Sequence, residues 1–168
     1  MKKQIFIALL ALGAFWAGGI DTARAQSQFP SVRIENAAGQ MINTSTLAAK
    51  RVPLIVSFWS TTCKPCILEL NAMNDLLDEW REEAEFEVIA VSIDDARSSS
   101  VAKALANGNG WDRFTVLYDK NQDFKRALNV SMAPHTFIFD ANGRIIYSHV
   151  GYTPGTEEEY IEKIKSLN

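Results

Sequence analysis

Cys63 and Cys66 are the only cysteines in the 168-residue chain, and they lie in the stretch FWSTTCKPCILEL. A pair spaced in this way serves as a structural disulfide, as half of a zinc site, or as a reactive thiol–disulfide pair. Structural zinc needs four ligands, and the two histidines, His135 and His149, are fourteen residues apart on neighbouring predicted strands. A structural disulfide would close a very short loop and so would restrict the unfolded chain only slightly. The redox interpretation is therefore favoured over the other two.

The position of Cys63 supports a reactive role. It follows the continuous apolar run PLIVSFW, which is typical of a buried strand, and it precedes a helical pattern that extends from Lys64 to about Arg81. Pro65 suits the first turn of that helix because its missing N–H would have no partner there. A thiolate at a helix N-terminus is stabilised by free N–H groups, and Lys64 adds a positive neighbour. We therefore expect Cys63 to be the exposed nucleophile and Cys66 the resolving thiol.

Glu69 borders the apolar side of the same helix, three residues after Cys66. The apolar stripe itself is predicted to contain Cys66, Leu70, Met73, Leu77 and Trp80. In one interpretation the Glu69 side chain extends to solvent or caps the helix. In the other it is a desolvated acid with a raised pKa that exchanges a proton with Cys66. We favour the second.

The surrounding elements alternate between strands and helices. Two short strands flank a glycine-containing turn in VRIENAAGQMINTS, and a strand–helix–strand unit ends near Asp94. The stretches that follow predict a helix (SSSVAKALANGNG), a strand (FTVLYD), a helix (NQDFKRALNV), a hairpin (HTFIFD and IIYSHV) and a last helix (TEEEYIEKIKSL). This order predicts an α/β fold that has a mixed central sheet with helices on both faces, an N-terminal β-hairpin and an inserted helix.

The N-terminus has the pattern of a secretory signal peptide. Two lysines are followed by an apolar run over 5–17 and by the small-residue motif ARA at 23–25. The apolar run is shorter than the roughly 20 residues that cross a bilayer, which disfavours an uncleaved anchor. We therefore expect a signal peptide at 1–25 and one domain at 26–168, exported to the periplasm or another extracytoplasmic space and not inserted in the membrane after cleavage.

Charge narrows the choice of partners. The formal net charge is −3, and removal of three basic residues and one acidic residue with the signal peptide leaves −5. An acidic chain without a basic cluster argues against nucleic acid as a partner.

In an oxidising compartment an exposed cysteine pair stays oxidised unless a donor reduces it.

Over about residues 29–168 the chain resembles exported thioredoxin-fold proteins of the TlpA/ResA type. FWSTTCKPC is similar to the family's FWAxWCxPC, an acidic residue follows three places after the second cysteine, and VIAVSIDD, FTVLYD and VSMAPHTFIFDANGRI match later segments. The resemblance implies a thioredoxin-like fold and an enzyme that reduces disulfides in exported proteins, apocytochrome c among them. We expect no cofactor and no metal, and because the compartment is oxidising a membrane thiol donor would have to recharge the protein.

The resemblance also implies roles for individual residues. Cys63 attacks, Cys66 resolves, and Pro134 is cis and packs beside the disulfide. Ala133 then offers backbone hydrogen bonds to an extended substrate strand. The predicted substrate-binding set is Trp59, Thr62, Lys64, Pro65, Ala133, Pro134 and His135.

Some positions differ from the family pattern or have two interpretations. Ser57 stands where thioredoxins carry a buried aspartate, so Glu69 would take over its proton handling. Thr62 replaces a tryptophan and removes apolar surface from the substrate platform. His135 replaces a threonine; it either faces solvent at the start of a strand or titrates beside the disulfide near pH 6–7. Trp59 matches the family's active-site tryptophan, although its type and position also fit a core aromatic.

Two other functions remain as alternatives, and a third is disfavoured. A DsbA-like oxidant would use the same cysteine pair in the opposite direction, and CKPC does not exclude it. A non-catalytic module would keep the fold and present a peptide groove beside Pro134. A peroxidase would need a Thr-x-x-Cys nucleophile, and TTCKPC lacks that spacing.

Overall fold

The computed structural model describes residues 28–167, so the predicted signal peptide lies outside the described residues. Within this part of the chain seven strands form one sheet. The strands are β1 (Arg33–Asn36), β2 (Met41–Asn43), β3 (Leu54–Trp59), β4 (Glu87–Ser92), β5 (Thr115–Tyr118), β6 (His135–Phe139) and β7 (Ile145–Val150). The helices are α1 (Ser45–Ala48), α2 (Lys64–Glu83), α3 (Ser99–Gly108), α4 (Asp123–Ala127) and α5 (Thr156–Lys165), with a 3-10 turn at Trp111–Arg113.

The sheet is mixed, in the order β2-β1-β5-β4-β3-β6-β7. β3, β4 and β5 are parallel, whereas β1–β2, β1–β5, β3–β6 and β6–β7 are antiparallel pairs. All six residues of β3 are buried, as the continuous apolar run predicts for a central strand. The predicted mixed sheet, the N-terminal hairpin β1–β2 and the inserted helix α3 are confirmed.

Two cores lie on opposite faces of the sheet, because alternate residues of a strand point to opposite sides. The face covered by α2, α3 and α5, here called the cysteine face, contains Cys66 together with Trp59 and Ile138. The face covered by α1 and α4, here called the aromatic face, contains Phe58 and Phe137 among its members. Helices therefore cover both sides of the sheet, as the element order predicts.

Helix α2 continues two residues beyond its predicted end near Arg81 and stops at Glu83, where Ala84 is extended. Its predicted apolar stripe is buried as a whole, and Glu69 is buried with it. The short helix α1 was not predicted from the sequence MINTS. The Asn43 side chain accepts a hydrogen bond from the Ser45 N–H at 2.9 Å, and this local turn ends the strand and starts a helix instead.

None of the helices in residues 28–167 combines the length and the apolar character needed to cross a bilayer.

Candidate active site

Cys63 and Cys66 form a disulfide at the start of α2, where β3 leads into the helix. Cys63 is the N-cap residue of α2, and its Sγ accepts a hydrogen bond from the Cys66 N–H at 3.3 Å. Cys63 is partly exposed, whereas Cys66 is completely buried. Only Cys63 is therefore accessible to another protein, and Cys66 contacts Cys63 from the buried side of the helix.

The residues around the pair divide into a surface group and a buried one. Thr62, Lys64 and Pro65 are exposed beside Cys63. Trp59 is completely buried and packs edge-to-face against Trp111, with ring centroids 5.0 Å apart. The interpretation of Trp59 as a core aromatic agrees with this burial, and its ring supports the site from below the surface.

The peptide bond between Ala133 and Pro134 is cis, as the family resemblance implies. Pro134 is buried and its carbonyl accepts the Gly151 N–H at 2.8 Å. Ala133 is partly exposed and packs against the core of the cysteine face. The paired residues of β6 begin only at His135, so Ala133 lies beyond the end of the strand ladder.

Glu69 is completely buried on the cysteine face, so the interpretation in which it extends to solvent is wrong. Three hydroxyl groups donate to its carboxylate. Ser57 Oγ lies 2.7 Å from Oε2, while Thr136 Oγ1 and Tyr160 OH lie 3.0 and 2.6 Å from Oε1. These donors come from β3, β6 and α5, so three separate elements converge on one carboxylate.

Burial raises the pKa of Glu69 above its ordinary value, because the charged form loses water. The hydroxyls of Tyr160, Ser57 and Thr136, and the charge of His149, act in the opposite direction and lower this pKa. Burial prevails. Glu69 and Cys66 are three residues apart on the same helix, so their side chains are neighbours on its buried side. The site therefore holds an acid of raised pKa next to the buried cysteine.

His135 is buried on the aromatic face, so the interpretation in which it faces solvent is wrong. Only 9% of it is exposed, its ring stacks on Phe137 with centroids 4.1 Å apart, and its Nε2 lies 2.8 Å from Ser148 Oγ. Burial lowers the pKa of His135 below 6.5. The ring thus lies on the side of the sheet opposite to Glu69, and substrate contact by His135 stays a prediction.

Sequence reasoning named none of the three hydroxyl groups as a donor to Glu69. Thr136 and Tyr160 carry no local signal, because Thr136 is one more β-branched residue in a strand and Tyr160 one more apolar residue in an amphipathic helix. Ser57 was singled out as the position of the thioredoxin aspartate, but not as a hydrogen-bond partner of Glu69. The polar Ser57 inside the otherwise apolar run LIVSFW could have indicated such a partner, since buried polar groups are normally hydrogen-bonded.

Within residues 28–167 no three His, Cys, Asp or Glu side chains come together as a metal-binding group.

Known proteins with related sequences share this chemistry. The family described as Redoxin matches residues 24–164. The thiol-disulfide oxidoreductase ResA of Bacillus thuringiensis (strain Al Hakam) is 30% identical over 136 residues, which cover 80% of this chain and 75% of the relative. The thiol:disulfide interchange protein DsbE of Vibrio cholerae is 30% identical over 167 residues, which cover 89% of this chain and 86% of the relative.

A solved structure extends the likeness to three dimensions. The solution structure of an uncharacterized thioredoxin-like protein from Porphyromonas gingivalis superposes with a TM-score of 0.73 at 45% identity, covering 84% of this chain and 92% of that one. The sheet, the disulfide at the start of α2 and these relatives all indicate the same fold and the same chemistry. The chain belongs to the redoxin family and is a thioredoxin-fold thiol-disulfide oxidoreductase of the ResA/DsbE type.

Proposed function

We propose that the protein is an exported reductase of protein disulfides, with Cys63 as attacking thiolate and Cys66 as resolving thiol. The observation that carries this assignment is the contrast between a partly exposed Cys63 and a completely buried Cys66, bonded to each other at the start of α2. A helix N-terminus favours a thiolate at its cap, which is the form that attacks a disulfide.

The proposed cycle moves two electrons from the dithiol to the substrate. The Cys63 thiolate attacks one sulfur of a substrate disulfide, that S–S bond breaks, and the other substrate sulfur leaves as a thiolate. The Cys66 thiol gives its proton to Glu69, and the resulting thiolate attacks Cys63 Sγ. The second substrate thiol is released and the Cys63–Cys66 disulfide remains. A membrane thiol donor then reduces it again.

Glu69 suits the proton step because it is buried beside Cys66 and its pKa is raised. An acid whose pKa is raised returns a proton less readily and accepts one more readily than an ordinary surface glutamate, which stays ionised. Tyr160 and Ser57 donate hydrogen bonds to its carboxylate, and these bonds stabilise the ionised form.

The substrate would lie beside Cys63 as an extended strand held by the backbone of Ala133, next to cis Pro134. Thr62, Lys64 and Pro65 are exposed there and complete the proposed platform. Met132, two residues before Pro134, is 58% exposed and adds an apolar side chain to the same segment.

The reductive direction and the clients are proposed from the family resemblance, whereas the names of the ResA and DsbE relatives support thiol–disulfide exchange without a direction. Proteins of the periplasm or another extracytoplasmic space are the proposed clients, with apocytochrome c as one candidate. Equilibration with glutathione buffers tests the direction. A reduction potential near the roughly −120 mV of DsbA would make the protein an oxidant and would overturn the reductase assignment.

Trapping tests the residue roles and identifies the clients. A Cys66→Ser variant cannot resolve, so it should hold its substrates as mixed disulfides on Cys63. The Cys63→Ser variant is the matched control, because its single cysteine is buried and should trap none. Trapping by the control and not by Cys66→Ser would reverse the two roles.

Export is proposed from the signal-peptide pattern at 1–25, and the family match, which starts at residue 24, is consistent with a domain at 26–168. N-terminal sequencing of the protein from an extracytoplasmic fraction should find a chain that begins at or near Gln26. A full-length chain retained in membranes would support the uncleaved anchor instead.

A further inference from the structure

Asp94 lies two residues after the end of β4, close to the turn that leads into the active-site helix. β3 and β4 are parallel neighbours in which Trp59 is opposite Ser92, so the segments that follow both strands leave the same edge of the sheet side by side. The two segments are joined by one backbone hydrogen bond, from the Ile93 N–H to the Trp59 carbonyl at 2.8 Å. Asp94 therefore borders the turn Ser60–Cys63.

The Asp94 carboxylate holds Thr61 by two hydrogen bonds. The Thr61 N–H donates to Oδ2 at 2.9 Å, and the Thr61 hydroxyl donates to Oδ1 at 2.7 Å. The Ser92 hydroxyl donates to Oδ2 at 2.9 Å, which orients the carboxylate. Hydrogen bonds to an ionised group are stronger than those between neutral groups. The contact therefore restrains both the backbone and the side chain of Thr61.

Only one residue separates Thr61 from Cys63. Cys63 closes the turn by donating its N–H to the Ser60 carbonyl at 3.1 Å, and it is the N-cap of α2. The place of its Sγ relative to the helix N-terminus thus depends on the conformation of the turn. In the oxidised protein the bond to Cys66 also restrains Cys63, but that bond is absent in the reduced form that attacks substrate.

We propose that Asp94 and Thr61 form a clamp that positions Cys63 for attack when the disulfide is reduced. Asp94 acts through Thr61 and is therefore a positioning residue. The inference rests on the proposed function, in which Cys63 is the attacking thiolate. The neighbouring Thr62 is not part of the clamp. Its side chain is exposed, and its hydroxyl lies 3.5 Å from that of Ser60 instead of contacting Asp94.

The test uses a Cys66→Ser background, in which Cys63 is the only thiol, and an aromatic disulfide (Ellman's reagent) as the probe. The Cys63 thiolate attacks one sulfur of the probe, the S–S bond of the probe breaks, and the coloured aromatic thiolate leaves. Thr61→Val removes the hydroxyl contact alone, and Asp94→Ala removes both contacts. We expect the rate constant to fall about tenfold in the first variant and up to about a hundredfold in the second, as for small displacements of a reacting group.

Two further variants separate positioning from general damage. Thr61→Ser keeps the hydroxyl and the N–H, so it should restore the rate to within about twofold of the parent, since both hydrogen bonds can form again. Asp95→Asn changes the adjacent carboxylate, which accepts hydrogen bonds from the Arg97 and Ser98 N–H groups and not from the turn. Its rate should equal that of the parent.

The outcomes are decisive even if one variant fails to fold. Circular dichroism at the assay temperature identifies the folded variants, and the Thr61→Val and Thr61→Ser pair decides the matter if Asp94→Ala is unfolded. If the Cys66→Ser parent reacts with the probe and a folded Thr61→Val variant reacts equally fast, the clamp is overturned and the proposed function stands. A Cys66→Ser parent that forms no mixed disulfide would overturn the proposed function and the clamp with it.

Discussion

The two faces of the sheet are made from alternate residues of the same strands, yet they provide opposite environments. On β3, Ser57 points to the cysteine face and Phe58 to the aromatic face; on β6, Thr136 and Phe137 divide in the same way. The cysteine face buries a carboxylate among hydroxyls next to Cys66. The aromatic face buries a cluster of phenylalanines, Phe29, Phe58, Phe124, Phe137 and Phe139, in mutual contact.

The two faces differ in the polar groups that they bury. Burying an ionised carboxylate costs free energy even when it is hydrogen-bonded, so Glu69 is a local cost within a face that is otherwise a large apolar core. The aromatic face buries packed rings in the corresponding positions, and it also buries a titratable group, His135, which stacks on Phe137. Alternate residues of one strand can therefore place hydroxyl groups beside the redox pair on one face and packed rings on the other.

Phe139→Ala should have the largest effect and should act on stability only. The ring is completely buried, packs 4.8 Å from Phe29, and lies at the end of β6 that is distant from Pro134. Loss of a buried phenylalanine should lower the free energy of unfolding by about 3–5 kcal/mol. Denaturant unfolding measures this loss. Below the unfolding transition, the rate of disulfide reduction should equal that of the unchanged protein.

Glu69→Gln should have the converse effect, slowing the reaction while the fold persists. Without an ionisable acid beside Cys66, resolution of the mixed disulfide should slow by about a hundredfold, as for loss of a general base. Stopped-flow fluorescence of the pre-formed mixed disulfide measures the step. Leu76→Gln, a partly buried neighbour on the same helix, is the control for adding an amide. Unchanged resolution in Glu69→Gln would leave Glu69 without a role in the chemistry.

The same variant should remove a pH dependence of stability. The folded-state pKa of Glu69 is raised above the value of 4.5 that it has in the unfolded chain, so the folded protein binds the proton more tightly. The contribution of Glu69 to the free energy of unfolding is therefore most favourable below pH 4.5, and it falls as the pH rises towards the folded-state pKa. Unfolding curves between pH 4 and 8 should show this decline in the unchanged protein and not in Glu69→Gln, as linkage requires.

Tyr160→Phe should have a smaller effect on both properties. The Tyr160 hydroxyl donates to Glu69 at 2.6 Å, and its loss should lower the free energy of unfolding by about 1 kcal/mol. Because this bond lowers the pKa of Glu69, the variant should raise that pKa further. Infrared titration of the carboxyl C=O band measures it. Tyr147→Phe is the control, since Tyr147 donates to the exposed Glu159 and not to Glu69; an equal pKa in both variants would contradict the prediction.

His135→Phe should have the smallest effect. His135 is buried with a pKa lowered from 6.5, so the folded state resists protonation and stability is lost as the pH falls below that value. The variant should abolish this acid-side loss and, at pH 7, change the free energy of unfolding by less than about 1 kcal/mol, because a phenyl ring can keep the stacking on Phe137. Unfolding at pH 5 and at pH 7 tests it; an equal loss in both proteins would contradict the assignment.

Local patterns predicted most of the elements, because their signals are contained in short stretches. The buried run LIVSFW and the Pro65 that suits a first helical turn are signals of this kind. The prediction missed α1, at whose start the Asn43 side chain accepts the Ser45 N–H and the Thr46 hydroxyl donates to the Asn43 carbonyl. It left Glu69 with two interpretations, since a residue at the edge of a helical stripe is buried or exposed according to what packs against it.

The identity and spacing of the cysteines, and the helix start between them, were legible in the chain because they depend on neighbours within a few residues. The environment of that pair was not, because its partners are distant in sequence: Thr136 and Tyr160 are 67 and 91 residues from Glu69, and Asp94 is 33 residues from Thr61. Which face His135 occupies was likewise decided by the register of β6 against β3. Such contacts arise from sheet order and helix packing, and only the folded chain brings them together.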